Sequence, residues 1–192
     1  MNHAHKKHWI PIYGGLACLL VLFLLNWALI QKIRILKVVL IWIGKSTGSH
    51  VTAGIAEFAK RIKRYHGLEI VELNHVKNGD RLKPGALKQK EAELLLKRFK
   101  SDDFVILLDE HGKEFTSKQF ADFLQNKMLD AVKRLVFVVG GAYGFDQAIY
   151  KQANMKLALS SMTFSHQLIR VVFLEQLYRA NTILRNEPYH NE

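Results

Sequence analysis

Residues 134–164, RLVFVVGGAYGFDQAIYKQANMKLALSSMTF, restrict the folds open to this chain more than any other stretch. The run from Arg134 to Val139 is mostly apolar and β-branched, as a strand buried on both faces must be. It stops at Gly140-Gly141-Ala142-Tyr143-Gly144, where missing side chains let a flat ligand lie against the main chain. The same glycines also suit a plain strand-to-helix turn. A dinucleotide-binding fingerprint is excluded, because Gly140, Gly141 and Gly144 do not have G-x-G-x-x-G spacing. A short helix from Phe145 to Ala153 then leads to a strand from Lys156 to Leu159. The polar loop Ser160-Ser161-Met162-Thr163-Phe164 leaves that strand. Two loops leaving the carboxyl ends of neighbouring strands form the crevice in which open α/β sheets bind ligands.

The remainder of the chain reads as scaffold for this unit. Leu36 to Ile43 is a first strand, followed by an amphipathic helix from His50 to Tyr65. That helix turns Ile55, Phe58, Ala59 and Ile62 inward and leaves Lys60, Arg61, Lys63 and Arg64 as a basic stripe. Gly44-Lys45-Ser46 imitates the end of a phosphate-binding loop. The full motif needs a glycine where Val39 stands inside the strand, so nucleotide hydrolysis is excluded. Leu68 to Leu73 is the next strand, Asn74 to Gly85 a polar loop, and Ala86 to Phe99 a helix with Glu91 and Glu93 expected to face solvent. A third strand, Phe104 to Asp109, ends in the turn Asp109-Glu110-His111-Gly112. There a carboxylate and a histidine suit either acid-base work or simple chain reversal. Thr116 or Ser117 caps the following helix, which directs Phe120, Phe123 and Leu124 inward. Alternating strands and helices predict one parallel sheet covered on both faces.

After the Ser160 loop, Ser165 to Arg185 is the last helix, carrying His166, Arg170, Arg179 and Arg185. The tail Asn186-Glu187-Pro188-Tyr189-His190 can stack on a base and exchange protons, or can simply fray. A net charge of +11 over 192 residues favours a polyanionic partner, either nucleic acid or an anionic membrane face. A single cysteine, Cys18, allows neither an internal disulfide nor a cysteine-built zinc site, and no metal is expected. Trp9 to Ile30 holds no charged residue and is long enough to cross a bilayer as a helix. Three readings stay open for residues 1–35: an anchor, a cleaved signal peptide that lacks a clean small-x-small cleavage site, or an upstream stretch that precedes a true start at Leu36. Mass spectrometry of the native N-terminus separates them.

The signatures LLDEHGKEFTS at 107–117, FVVGGAYGF at 137–145, LALSSMTFSHQLIRVVFLEQLYRA at 157–180 and ILRNEPYH at 183–190 occur in order. From Leu36 onward the chain resembles, through them, the RlmH family of ribosomal RNA large-subunit methyltransferases in the SPOUT superfamily. The resemblance implies an α/β SPOUT-type parallel sheet with helices on both faces and a C-terminal trefoil knot. It also implies a cytoplasmic homodimer that uses S-adenosylmethionine to methylate N3 of a pseudouridine in 23S rRNA of the assembled ribosome. Carried over, the cofactor pocket comprises Leu108, Gly140, Leu159, Ser160, Ser161, Met162, Thr163 and Phe164. His166, Arg170, Tyr178, Arg179, Tyr189 and His190 form the substrate-binding or catalytic group, with a plain structural role at the dimer interface or knot left open for Tyr178 and Arg170. Residues 1–35 lie outside the resemblance as an apolar extension, and residues 36–192 are the methyltransferase domain. The family often has proline where this chain has Ala142 or Ser165, and glycine where it has Asn186. The alternatives are a basic RNA-binding module without chemistry, and a protein held at the inner membrane through residues 9–30.

Overall fold

A computed structural model describes residues 36–190. The apolar stretch at 9–30, and with it the expected N-terminal helix, lies outside the described residues. Five strands, β1 (Lys37–Ile43), β2 (Gly67–Leu73), β3 (Asp103–Glu114), β4 (Arg134–Val139) and β5 (Met155–Ala158), pair in the order β2-β1-β4-β3-β5. Every pairing is parallel. Five helices join or follow them: α1 (Ser49–Ile62), α2 (Pro84–Leu96), α3 (Ser117–Leu129), α4 (Gln147–Gln152) and α5 (Leu168–Leu184).

The period-two geometry of β1 sorts its side chains between two cores. Val38, Leu40 and Trp42 meet Ile62 of α1, Phe120 and Leu124 of α3, and Phe173, Leu174 and Leu177 of α5. Val39, Ile41 and Ile43 face the opposite side, with Ala92 and Leu95 of α2 and Ile149 of α4. Both faces of the sheet are therefore covered, as the continuous apolar strands require. The Phe137 and Phe173 rings, 4.5 Å apart, join the sheet centre to α5. At the amino ends of β3 and β4, Arg134 Nη1 donates to both Asp103 oxygens at 2.7 and 2.8 Å.

Three expectations change. The strand expected to stop at Asp109 runs on to Glu114, through a register jump between Leu108 and Lys113 against β5. Residues 109–112 are looped out there, and Gly112 lies flat against β5, where a Cβ would stand 2.6 Å from the Leu157 backbone. The strands at 134–139 and 155–158 are not neighbours, because β3 lies between them. Glu91, expected in solvent, is only 9% exposed. It shares the buried face of its helix with Ala92 and Leu95. Thr116 is the α3 cap, accepting from Gln119 N while Gln119 Oε1 accepts from Thr116 N. Among the described residues no helix is long and apolar enough to cross a membrane.

His66 ties the end of α1 to α5 in a single tautomer. Asn181 Nδ2, which also donates to Leu177 O at 2.7 Å, donates to His66 Nε2 at 3.2 Å. The other ring nitrogen faces Gly67 O at 3.2 Å. Burial holds the imidazole pKa below its usual value. An unfolded histidine takes up its proton near pH ~6.5, so the folded state binds fewer protons just below that pH. The His66 contribution to stability is therefore complete above this value and is lost as pH falls through it toward the lower folded pKa. Urea denaturation from pH 7 to pH 5 should show this decline, and His66→Gln should flatten it.

Candidate active site

Parallel strands deliver their carboxyl ends to one edge of the sheet. Register places three of those ends at the same level, pairing Leu108 of β3 with Val139 of β4 on one side and with Leu157 of β5 on the other. The segments that follow, 109–112, 140–144 and 159–166, enclose a cleft of about 640 Å³. That size suits a small organic ligand. Leu108, Val139, Leu157, Leu159, Phe164 and Ile169 supply apolar walls. Polar groups come from Asp109, Glu110, Tyr150, Thr163 and His166.

The loops are cross-braced. Tyr150 OH donates to Asp109 Oδ2 at 2.6 Å, and His111 N donates to Asp109 Oδ1 at 2.9 Å. Burial, then the bond to Asp109, pushes the Tyr150 phenol up to about 12, so it remains a hydrogen-bond donor at neutral pH. Asp109 thus fixes its own turn and α4 rather than pairing with the His111 ring. Thr163 Oγ1 donates to Glu110 Oε2 at 3.0 Å, joining the third segment to the first. Within the third segment, Met162 N donates to Ser160 Oγ at 2.9 Å, which turns Met162 outward to 75% exposure at the rim. The glycine turn closes through Gly144 N donating to Gly141 O at 3.1 Å, with Gly144 at φ 73. Partial burial, and then the nearby Arg170 guanidinium, holds the His166 pKa below its usual value. Its imidazole is therefore a neutral group at pH 7.

Of the cofactor positions expected from the sequence, Leu108, Gly140, Leu159, Ser160, Met162, Thr163 and Phe164 line the cleft. Ser161 is exposed beside it and is not part of the lining. Among the six other expected residues only His166 reaches the cleft. Arg170 is 1% exposed, with Nη2 donating to Ile43 O at 3.0 Å and Nη1 to Ser46 Oγ at 3.0 Å. Its guanidinium lies 4.9 Å from the Trp42 ring centroid. It clamps the end of β1 to α5, and its Nε has no hydrogen-bond partner among the described residues.

Tyr178, Arg179, Tyr189 and His190 form a separate cluster where the tail folds back along α5. Arg179 Nη2 donates to Glu175 Oε1 at 2.6 Å, and Tyr189 OH donates to the same oxygen at 3.2 Å. The Arg179 guanidinium covers the Tyr189 ring at 4.8 Å, and His190 Nδ1 lies 3.5 Å from Arg179 Nη1. Tyr178 meets Tyr189 edge-on at 4.7 Å. On the other flank Tyr65 OH donates to Glu187. Tyr150 has no counterpart in the sequence expectation. Tyr150 is 41 residues from Asp109, and no spacing rule links a helix interior to a strand end at that distance.

Residues 36–190 match the family model described as "Predicted SPOUT methyltransferase". A curated protein from Parabacteroides distasonis, "Ribosomal RNA large subunit methyltransferase H", is 50% identical over 157 residues, covering 82% of this chain and 100% of that protein. Proteins of the same name from Bacteroides thetaiotaomicron and Phocaeicola vulgatus are 45% and 46% identical over the same shares of each chain. A solved structure of a putative methylase family protein from Neisseria gonorrhoeae is similar with a TM-score of 0.46 at 14% identity, over 84% of this chain and 88% of that one. With identity at this level running the full length of its relatives, the chain belongs to the ribosomal RNA large subunit methyltransferase H family of SPOUT methyltransferases.

Proposed function

We propose that this protein transfers a methyl group from S-adenosylmethionine to N3 of a pseudouridine in the 23S rRNA of the assembled ribosome. The observation that carries this reading is the cleft, because seven of the eight cofactor positions carried over from the family converge on it from β3, β4 and β5. The residues present suit such a ligand. At Gly140 an added Cβ would already press the Phe145 ring at 3.2 Å, so the main chain itself forms the wall there. Leu108, Leu159 and Phe164 offer apolar surface for a flat ring, and Asp109 and Glu110 offer acceptors for hydroxyl or cationic groups. Bound there, the cofactor would supply a methyl group already activated for transfer.

The protein's own part is to align the base and to take one proton from its N3. His166 is the neutral imidazole on the cleft, and it is the group we assign to that proton. Arg179, Tyr189 and His190 supply a cation, an aromatic face and a second imidazole suited to RNA, away from the cleft of their own protomer. The reading includes a cytoplasmic homodimer, in which a second copy brings such a cluster to the cleft, and a trefoil knot in the segment after β4. Residues 36–192 form the methyltransferase unit, and residues 1–35 are an extension outside it. The exposed Lys60, Lys63 and Arg64 at the end of α1 add positive charge for the phosphate backbone.

Calorimetry should show one S-adenosylmethionine bound per chain, and ribosomes lacking the modification should accept tritiated methyl groups recovered as N3-methylpseudouridine. A chain that binds ribosomes but takes up no cofactor would instead be a binding module. Gly140→Leu should lose at least about tenfold in cofactor affinity with an unchanged circular dichroism spectrum. Arg179→Ala should keep cofactor affinity and lose about 100-fold in methylation rate, since it stands away from the cofactor walls. The His166 ring should titrate below pH ~6.5 by NMR, and the methylation rate should fall on the acid side as that proton is taken up.

A further inference from the structure

Glu91 is a largely buried residue, 9% exposed, whose carboxyl the site described above does not use. It lies on α2 beside buried Ala92 and Leu95, on the face of the sheet opposite α5. Burying a carboxylate is unfavourable unless a partner compensates. Among the described residues no hydrogen bond or ion pair reaches this one, and desolvation alone holds its pKa above the usual carboxylate range. What the carboxyl touches is the glycine turn. A Cβ built on Gly141 would stand 2.6 Å from Glu91 Oε2 and 2.8 Å from Oε1, closer than real Cβ atoms come, so either the turn or the free end of the Glu91 side chain would have to shift. Lys88, Gly144 and Asp146 border the same small gap between α2 and the turn.

We infer that Glu91 is a positioning residue, whose carboxyl props Gly141 from behind the sheet edge and so sets the height of residues 140–144 along the cofactor cleft. Gly141 O accepts from Gly144 N, so a displacement of Gly141 is passed to the whole turn. The glycine at 141 is then required by Glu91 and not by the ligand. At Gly140 such a Cβ would meet the Phe145 ring at 3.2 Å instead, and both residues line the cleft. The affinity arm of the test rests on the S-adenosylmethionine reading, and the stability arm does not.

The test is a double-mutant cycle between positions 91 and 141, read by calorimetric S-adenosylmethionine affinity and by melting temperature. Gly141→Ala should weaken cofactor binding by at least about tenfold and lower the melting temperature, because its Cβ displaces the turn. Adding Glu91→Ala should restore both to near the values of Glu91→Ala alone. Glu91→Gln keeps the same volume, so it should bind cofactor within about threefold of the parent protein and should fail to rescue Gly141→Ala. Equal losses from Gly141→Ala in the parent protein and in the Glu91→Ala background would overturn the proposal, since the ligand would then be what requires the glycine. If the parent protein binds no S-adenosylmethionine, the functional reading fails, and the melting temperatures still decide. Rescue upholds the prop, and additive losses overturn it.

Discussion

The site depends on the in-register pairing of β3 between β4 and β5. Leu108 is paired through the backbone ladder with both neighbours at one level, so three loops leave the sheet edge together. A slip by one residue would drive Leu107 and Ile106 each to the wrong core, and both are 0% exposed. The Asp103 carboxylate, with no exposed side-chain surface, and Arg134 oppose such a slip at the far end of the same two strands. Removing one member of a buried pair costs about 3–5 kcal/mol, so this contact holds register more firmly than a surface ion pair would. The looped-out residues 109–112 follow from the same arrangement. β3 must leave the ladder to supply a cleft wall, then rejoin β5 at Lys113.

Helix α5 is the second element on which the arrangement turns. Its apolar side completes the core against Phe137, and Arg170 on its first turn reaches the end of β1. A guanidinium with backbone carbonyls and the Trp42 ring around it is held as a strut, and after burial its charge is the next cause of the lowered His166 pKa. Arg179, on the same helix, has the opposite setting. Partly exposed and paired with Glu175, it offers a partly neutralised cation to whatever approaches the tail. Two arginines on one helix thus have unlike roles because one points into the sheet and the other away from it.

Much of the fold was legible in local patterns. The apolar β-branched runs at 36–43, 104–109 and 134–139 became strands, and Thr116 became a cap, because these choices are made by nearest neighbours in the chain. Gly140 and Leu159 were legible as cleft residues since each sits where a strand ends, and Phe164 since it stands in the loop leaving the last strand. Other features were not. Neither the place of β3 between β4 and β5 nor the burial of Glu91 leaves a periodic trace, and the bond from Tyr150 to Asp109 joins elements that are distant in the chain. From the sequence Arg170 was grouped with the substrate-binding or catalytic residues, because burial of its guanidinium depends on carbonyls more than 120 residues earlier.

By itself the sequence determined which segments are strands and helices, that the sheet is parallel, and that polar and glycine-rich segments follow the strand ends. These follow from short-range sterics and from the period of apolar residues. Only the tertiary structure decided which strand ends are adjacent, which cations are struts, and which carboxyl lies behind the glycine turn. Those outcomes depend on sheet order and register, which are set by the packing of both cores at once and not by any single segment.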